Sequence, residues 1–218
     1  HFMQKLEDEP AIEWRNVARS VDGLRAGDGV NPSPIDRERL QAWCEARTCY
    51  PMVDACMRQL RATGWLNFRM RAMLVSFAAY HLGLHWREPG LFLARQFLDF
   101  EPGIHWSQMQ MQSGTSGINT LRIYSPAKQA RDQDPQGLYI RLWVPEMGTA
   151  AYPPPIVDER KALAAAKEAL YGLRRTREAR AEADAIQKMH GSRKSGLPPT
   201  ATRARRVRAT PQGQGQLF

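Results

Sequence analysis

Apolar residues in this chain recur mainly three and four apart, with almost no sustained alternation. A chain with that spacing builds helices; period-two alternation, the signature of half-buried strands, is nearly absent, and its runs of β-branched residues are too short for a sheet. The densest instance is GWLNFRMRAMLVSFAAYHLGLHWRE, residues 64–88. Met70, Met73, Leu74, Phe77 and Ala78 fall on one stripe, which predicts a helix over about 66–82. Arg69 and Arg71 enter this apolar segment near its start. Residues two apart in sequence point about 160° to 200° from each other on a helix, so these arginines face different surroundings. A buried charge without a partner is costly, so an anion should await at least one of them.

The same reading predicts an all-α protein. Residues 1–25 read as helix and AGDGVNPSP, 26–34, as a loop. Asp36 caps a short helix to about Trp43. Pro51 opens a helix through Ala62 that Gly64 closes. Pro89 starts another through about Phe100. Residues 101–120, rich in Gly, Ser, Gln and Thr, read as a long loop. LYIRLWVPE is one more short helix, 158–189 a charged helix, and the remainder disordered.

Charge divides the chain. Residues 1–155 hold 17 Lys and Arg against 16 Asp and Glu, whereas 156–218 hold 14 against 6. After residue 190 there are basic residues and no acid. We therefore divide the chain into a body at 1–155, a charged helical extension at 156–190 and a basic tail at 191–218. A polycationic tail suits sequence-independent nucleic-acid contact, with log K falling against log salt at a slope of about −4 to −5. No apolar run has the 18 or so residues that a bilayer span needs. Three cysteines, Cys44, Cys49 and Cys56, are too few for a disulfide framework and point to a reducing compartment. They are also one short of an iron–sulfur cluster, and Gly83 interrupts the His81/His85 pair, so no metal site is expected.

Three stretches then carry a resemblance. RTCYPMVDACMRQLRATGWLNFRMRAMLVSF resembles the flavin-domain signature of the cryptochrome and DNA photolyase family, TGYP-x-VDA-x-MRQL-x-x-TGW-x-x-NR-x-R. LHWREPGLFLARQFLDFEP is similar to the following helix pair, and RIYSPAKQARDQDPQGLYIRLWVPE to the R-I-F-N-P stretch and its G-x-Y-I-R-x-W-x-P-E ending. The motifs span about Trp43 to Asp158 in family order. The resemblance implies a helical FAD-binding domain with a basic face over a pocket that receives a flipped pyrimidine dimer. The family's α/β antenna domain and serine-rich FAD-phosphate loop have no counterpart here. That lack, with an opening that reads as the middle of a helix, suggests a truncated piece of a longer protein.

By resemblance, Arg71 turns inward to form a buried pair with Asp99 beside the flavin, while Arg69 turns outward to DNA phosphate. Trp65 and Phe68 occupy the W-x-x-N-R run at the cofactor, with Phe68 in place of the family's Asn. Asp99 and Glu101 match a D-x-D at the flavin's ribityl and pyrimidine edge. The position facing flavin N5 falls on or near His105, where an imidazole could donate a hydrogen bond or a proton; alternatively it only bonds the backbone. Trp86 matches the middle tryptophan of the electron-transfer chain. Met109 stands at the proximal position, with Trp106 or Tyr80 as substitutes, and Met111 replaces the substrate-stacking tryptophan. Arg122 would grip the DNA backbone on the same outer face as Arg69.

The resemblance thus implies a photolyase that holds FAD and passes an electron under light to a UV-induced dimer in double-stranded DNA. A cryptochrome-like photoreceptor without repair activity is the alternative, and an inactive truncated fragment a third. The expected setting is cytoplasmic, bacterial-type and nucleoid-associated, with no membrane and no protein partner.

Overall fold

The computed structural model describes residues 2–25 and 33–190, and those residues form helices and turns with no strand. Residues 26–32 of the loop predicted at 26–34, and the tail from residue 191, lie outside the described residues.

The first segment is not one helix. Helix α1 spans Phe2–Asp8, and short 3-10 turns follow at Pro10–Glu13 and Arg19–Val21. Pro10 lacks an N–H and clashes with the preceding turn, which stops α1 there. Helix α2, Pro34–Cys44, begins three residues earlier than the expected cap at Asp36 implies. Ser33 is its N-cap, and Asp36 returns a bond to the Ser33 N–H in a capping box. Helix α3, Pro51–Thr63, starts at its proline and ends at Gly64, whose φ of 69° lies in the left-handed region.

Helix α4, Phe68–Ser76, is capped by Asn67, whose side chain accepts from Met70 N at 3.0 Å. It does not continue to Leu82 as a plain α-helix. Residues Phe77–His81 form a wide π turn in which Leu82 N bonds Phe77 O at 3.1 Å. This extra residue per turn rotates His81 inward, where it stacks on Phe77 at 4.7 Å.

Helix α5 spans Arg87–Gln96, with Pro89 inside its first turn rather than at its start. Helix α6, Pro102–Ser113, overturns the loop expected at 101–120. Glu101 caps it through Gly103 N and Ile104 N, Pro102 presets its first turn, and Gly114 closes it at φ 78°. Helices α7, Pro126–Gln133, and α8, Leu138–Trp143, follow. The charged extension is two helices, α9 at Glu159–Arg174 and α10 at Arg177–His190, because Thr176 caps the second by accepting from Ala179 N.

The core gathers the apolar faces of α3 and α4 with Trp43, Trp86, Trp106 and Ile140. Helix α6 packs on α1, α4 and α5, and α3 packs on α4, α7 and α8. The extension docks on this body: α9 lies against the π turn, and Glu182 of α10 accepts from Arg19 N and Ser20 N.

Candidate functional site

Two helical faces and one corner enclose a cavity of about 170 Å³. Phe68, Arg71, Ala72 and Val75 come from α4 at spacings of three, four and seven, one side of a helix. Ile104, His105, Gln108, Met109 and Gln112 come from α6 on the same logic. The corner 97–101 between α5 and α6 supplies Phe97, Asp99, Phe100 and Glu101. Five of the six residues that the sequence assigned to a cofactor are thus brought together. The sixth, Trp65, is exposed in the turn before α4 and does not line the cavity.

Arg71 is fixed from three sides. Its Nε donates to Leu66 O at 2.6 Å, and Nη1 and Nη2 donate to the two oxygens of Asp99 at 3.0 and 2.9 Å. The guanidinium also sits 4.2 Å from the centre of the Phe97 ring. Hydrogen bonding to Arg71 holds the Asp99 carboxyl below its ordinary range. Sequence analysis expected a buried pair, but the structure leaves it open, because Asp99 sits in the middle of the corner and keeps 53% of its side chain exposed. Two guanidinium N–H groups and the outer lone pairs of Asp99 remain for a ligand.

Glu101 lines the cavity, but both of its oxygens already cap α6, at 3.2 and 2.6 Å. His105 lies in that helix rather than in a loop. Its Nε2 is 2.9 Å from Gly90 O, and since a carbonyl only accepts, Nε2 carries the proton. Burial pushes His105 down to about 4, so the ring is neutral and its Nδ1 is an acceptor. Of the two roles that the sequence left open, donation toward the flavin or a bond to the backbone, this geometry gives the second and leaves Nδ1 as an acceptor. Behind it, Trp106 meets His105 edge-on at 4.8 Å and Trp86 at 6.0 Å. Trp86 is buried, and its indole N–H donates to Asn16 at 2.7 Å.

The QMQMQ run has a different use for each residue. Met109 lines the cavity, and Met111 stands half-buried outside it. Gln110 points the other way and donates to Ile12 O at 3.1 Å and Arg15 O at 2.5 Å, which pins the N-terminal turns. Arg69 and Arg122 are exposed, with no hydrogen bond or ion pair among the described residues.

The sequence reading missed a role for Asp54, in the VDA motif. Its buried carboxylate accepts from Thr48 N at 3.0 Å, Thr48 Oγ1 at 2.6 Å, Cys49 N at 2.9 Å and Tyr152 Oη at 2.8 Å. It ties the turn after α2, where Ala46 and Cys49 both have positive φ, to the segment after α8. Only the Asp at a helix first turn hinted at this.

The group that the motifs imply, FAD, fits one wall of such a site. A cavity near 150 Å³ holds a benzene-sized ring, so this one takes the edge of a ring system and not a whole dinucleotide. Phe68, Phe100 and Ile104 at its rim are exposed, an apolar surface that a flat ring would cover.

Comparison with known proteins agrees. A family model described as the FAD binding domain of DNA photolyase matches residues 1–151. A cryptochrome DASH of Gloeobacter violaceus is 34% identical over 153 residues, 70% of this chain and 30% of that protein. A deoxyribodipyrimidine photo-lyase of Vibrio cholerae is 38% identical over 115 residues, 51% of this chain and 24% of that one. The crystal structure of a bacterial class III photolyase from Agrobacterium tumefaciens superposes with a TM-score of 0.70 at 27% identity, covering 80% of this chain and 40% of that one. The chain therefore spans between about a quarter and two-fifths of the length of these relatives. With most of its length matched and its cavity built from the matched motifs, the chain belongs to the photolyase and cryptochrome family, in the FAD-binding domain.

Proposed function

We propose that this chain forms one wall of the flavin site of a photolyase-like protein that repairs UV-dimerised pyrimidines in DNA under blue light. The observation that carries the reading is the Arg71–Asp99 pair at the edge of an apolar, aromatic-rimmed cavity. FAD, when bound and reduced, supplies the photoexcited electron that opens the dimer.

The chain's own residues take the remaining roles. Arg71 and Asp99 present donors and acceptors side by side, the pairing that an edge with alternating N–H and C=O groups requires. Phe68 and Phe100 cover a ring face and exclude water. His105 offers an acceptor and no acidic proton, and Gln108 and Gln112 supply neutral polar contacts. Arg69 and Arg122 offer uncommitted charge for DNA phosphates, and Met111 a soft surface for a base. Trp106 bridges Trp86 to the His105 wall, the place that Met109 leaves without an aromatic.

One observation favours a second reading, a cryptochrome-like photoreceptor: methionines stand at both positions, 109 and 111, where a repairing relative would carry tryptophan. The test is FAD titration followed by illumination of a dimer-containing oligonucleotide. Flavin uptake with repair supports the first reading, and uptake with photoreduction but no repair the second. Failure to take up flavin at all means that the 1–218 chain is an inactive piece of a larger protein.

A further inference from the structure

A second and larger cavity, about 600 Å³, lies beyond the π turn at the other end of α4. It shares no lining residue with the first. Its volume falls within the range of small-molecule sites, about 300–1,000 Å³. Helix α9 faces it with Ala162, Ala165, Ala166 and Ala169, at spacings of three, four and seven. Larger residues there would fill the space; alanines keep it open along one smooth apolar wall, which Leu82 and Leu170 extend.

Two further features point to a ligand. His81 lines the cavity with its side chain 0% exposed, and neither ring nitrogen has a hydrogen-bond partner among the described residues. Glu159 Oε1 is 3.9 Å away, too far for a hydrogen bond, and already accepts from Ser125 Oγ at 2.7 Å. A buried polar group without a partner is costly, so an orphaned imidazole calls for a donor or acceptor. The charged rim is also unbalanced. Its two carboxylates are committed to helix caps, Asp36 to Ser33 and Asp158 to Lys161 N. Among the described residues Arg39 meets a neutral carbonyl, Leu82 O at 3.1 Å, and no carboxylate, and Lys161 is exposed.

We propose that this cavity is a second small-molecule site, which takes an amphipathic organic anion. The apolar body lies along the alanine face of α9, a polar atom completes His81, and the acidic group meets Lys161 and Arg39. This reading does not rest on flavin binding at the first cavity.

The probe is 8-anilinonaphthalene-1-sulfonate, an aromatic body with one sulfonate, titrated into the full chain with and without FAD. Saturable fluorescence that FAD does not displace is expected. Ala162→Phe, which fills the cavity, should weaken binding by roughly tenfold, and Lys161→Glu, on the exposed rim, by roughly fivefold. Phe68→Asp, at the first cavity, should leave it unchanged. Melting curves separate lost binding from lost folding, and if Ala162→Phe fails to fold, Lys161→Glu decides alone. Displacement by FAD, an unsaturable or absent signal, or parent-like binding by both variants would overturn the proposal.

Discussion

Gly90 serves α6 twice: its carbonyl accepts the His105 Nε2 proton at 2.9 Å, and its missing side chain leaves the space that Trp106 fills. A Cβ at Gly90 would stand 2.8 Å from Trp106 Cζ3 and 3.3 Å from two Met109 atoms. Gly90→Ala should therefore destabilise despite the helix propensity of alanine, since overpacking costs about 1–3 kcal/mol. Gly172, inside α9, meets nothing within 4 Å. Gly172→Ala should stabilise by about 0.4–1 kcal/mol. Opposite shifts in melting temperature check both, and equal shifts refute the packing at Gly90.

The half-exposed Arg71–Asp99 pair separates stability from binding. A buried pair broken on one side costs about 3–5 kcal/mol, but a pair this open to solvent is worth about 1 kcal/mol or less. Asp99→Asn should thus move the melting temperature little while lowering FAD affinity by roughly tenfold or more, because the carboxylate acceptors at the cavity edge are lost. A large loss of stability with unchanged affinity would make the pair purely structural.

Acid should loosen the fold through His81 and His105. Burial lowers both to about 4 from an ordinary value of 6.5. Between those values the unfolded chain binds the protons and the folded chain does not, so stability rises with pH. Each histidine contributes about 1.4 kcal/mol per pH unit, present in full above about 6.5 and lost as the pH falls toward 4. Denaturant midpoints at pH 7 and 5 test this, and His105→Gln should flatten the difference by about half.

Asp54 is the least replaceable polar residue of the body. Asp54→Ala leaves the buried Thr48 N–H and Cys49 N–H without acceptors, at about 1–3 kcal/mol each. It also releases a turn with two non-glycine residues in the left-handed region. A loss near 3 kcal/mol or beyond is expected, and a loss below 1 kcal/mol would place the constraint elsewhere.

The ease with which each element could be read follows from where its stability originates. Helix α3 announces itself locally through Pro51, an apolar face and Gly64, and the structure keeps those bounds nearly to the residue. Helix α6 does not, because its Gly, Ser and Gln content has the composition of a loop. It forms on tertiary contacts with α1, α4 and α5, plus a Glu101 cap that looks like a ligand when read alone. The first cavity was legible because its residues sit in motifs. Which of its two possible roles His105 takes was not, since the choice depends on a carbonyl fifteen residues earlier that accepts its Nε2 proton. The second cavity was illegible for the same kind of reason: alanines in α9 meet a π turn some eighty residues before them.

Arg69 and Arg122 are two of the exposed cations that have no side-chain partner among the described residues. Surface carboxylates such as Glu45 or Asp132 would be the alternative partners, but Glu45 is paired with Arg47 and Asp132 with Lys128. Arg71 faces the cavity, so helix geometry turns Arg69, two residues earlier, to the opposite side. Arg122 precedes Tyr124, whose N–H is fixed to Ser76 Oγ at 3.0 Å, which holds this segment beside the end of α4. Both positions are therefore anchored to one helix, and their guanidiniums are available to phosphate. A phosphate contact adds affinity without sequence or lesion choice. Arg69→Ala and Arg122→Ala should each weaken damaged and undamaged DNA by similar factors and reduce the salt slope by about one. Parent-like binding by both variants at low salt would remove these arginines from the interface. A loss confined to damaged DNA would move them from the backbone to the lesion pocket.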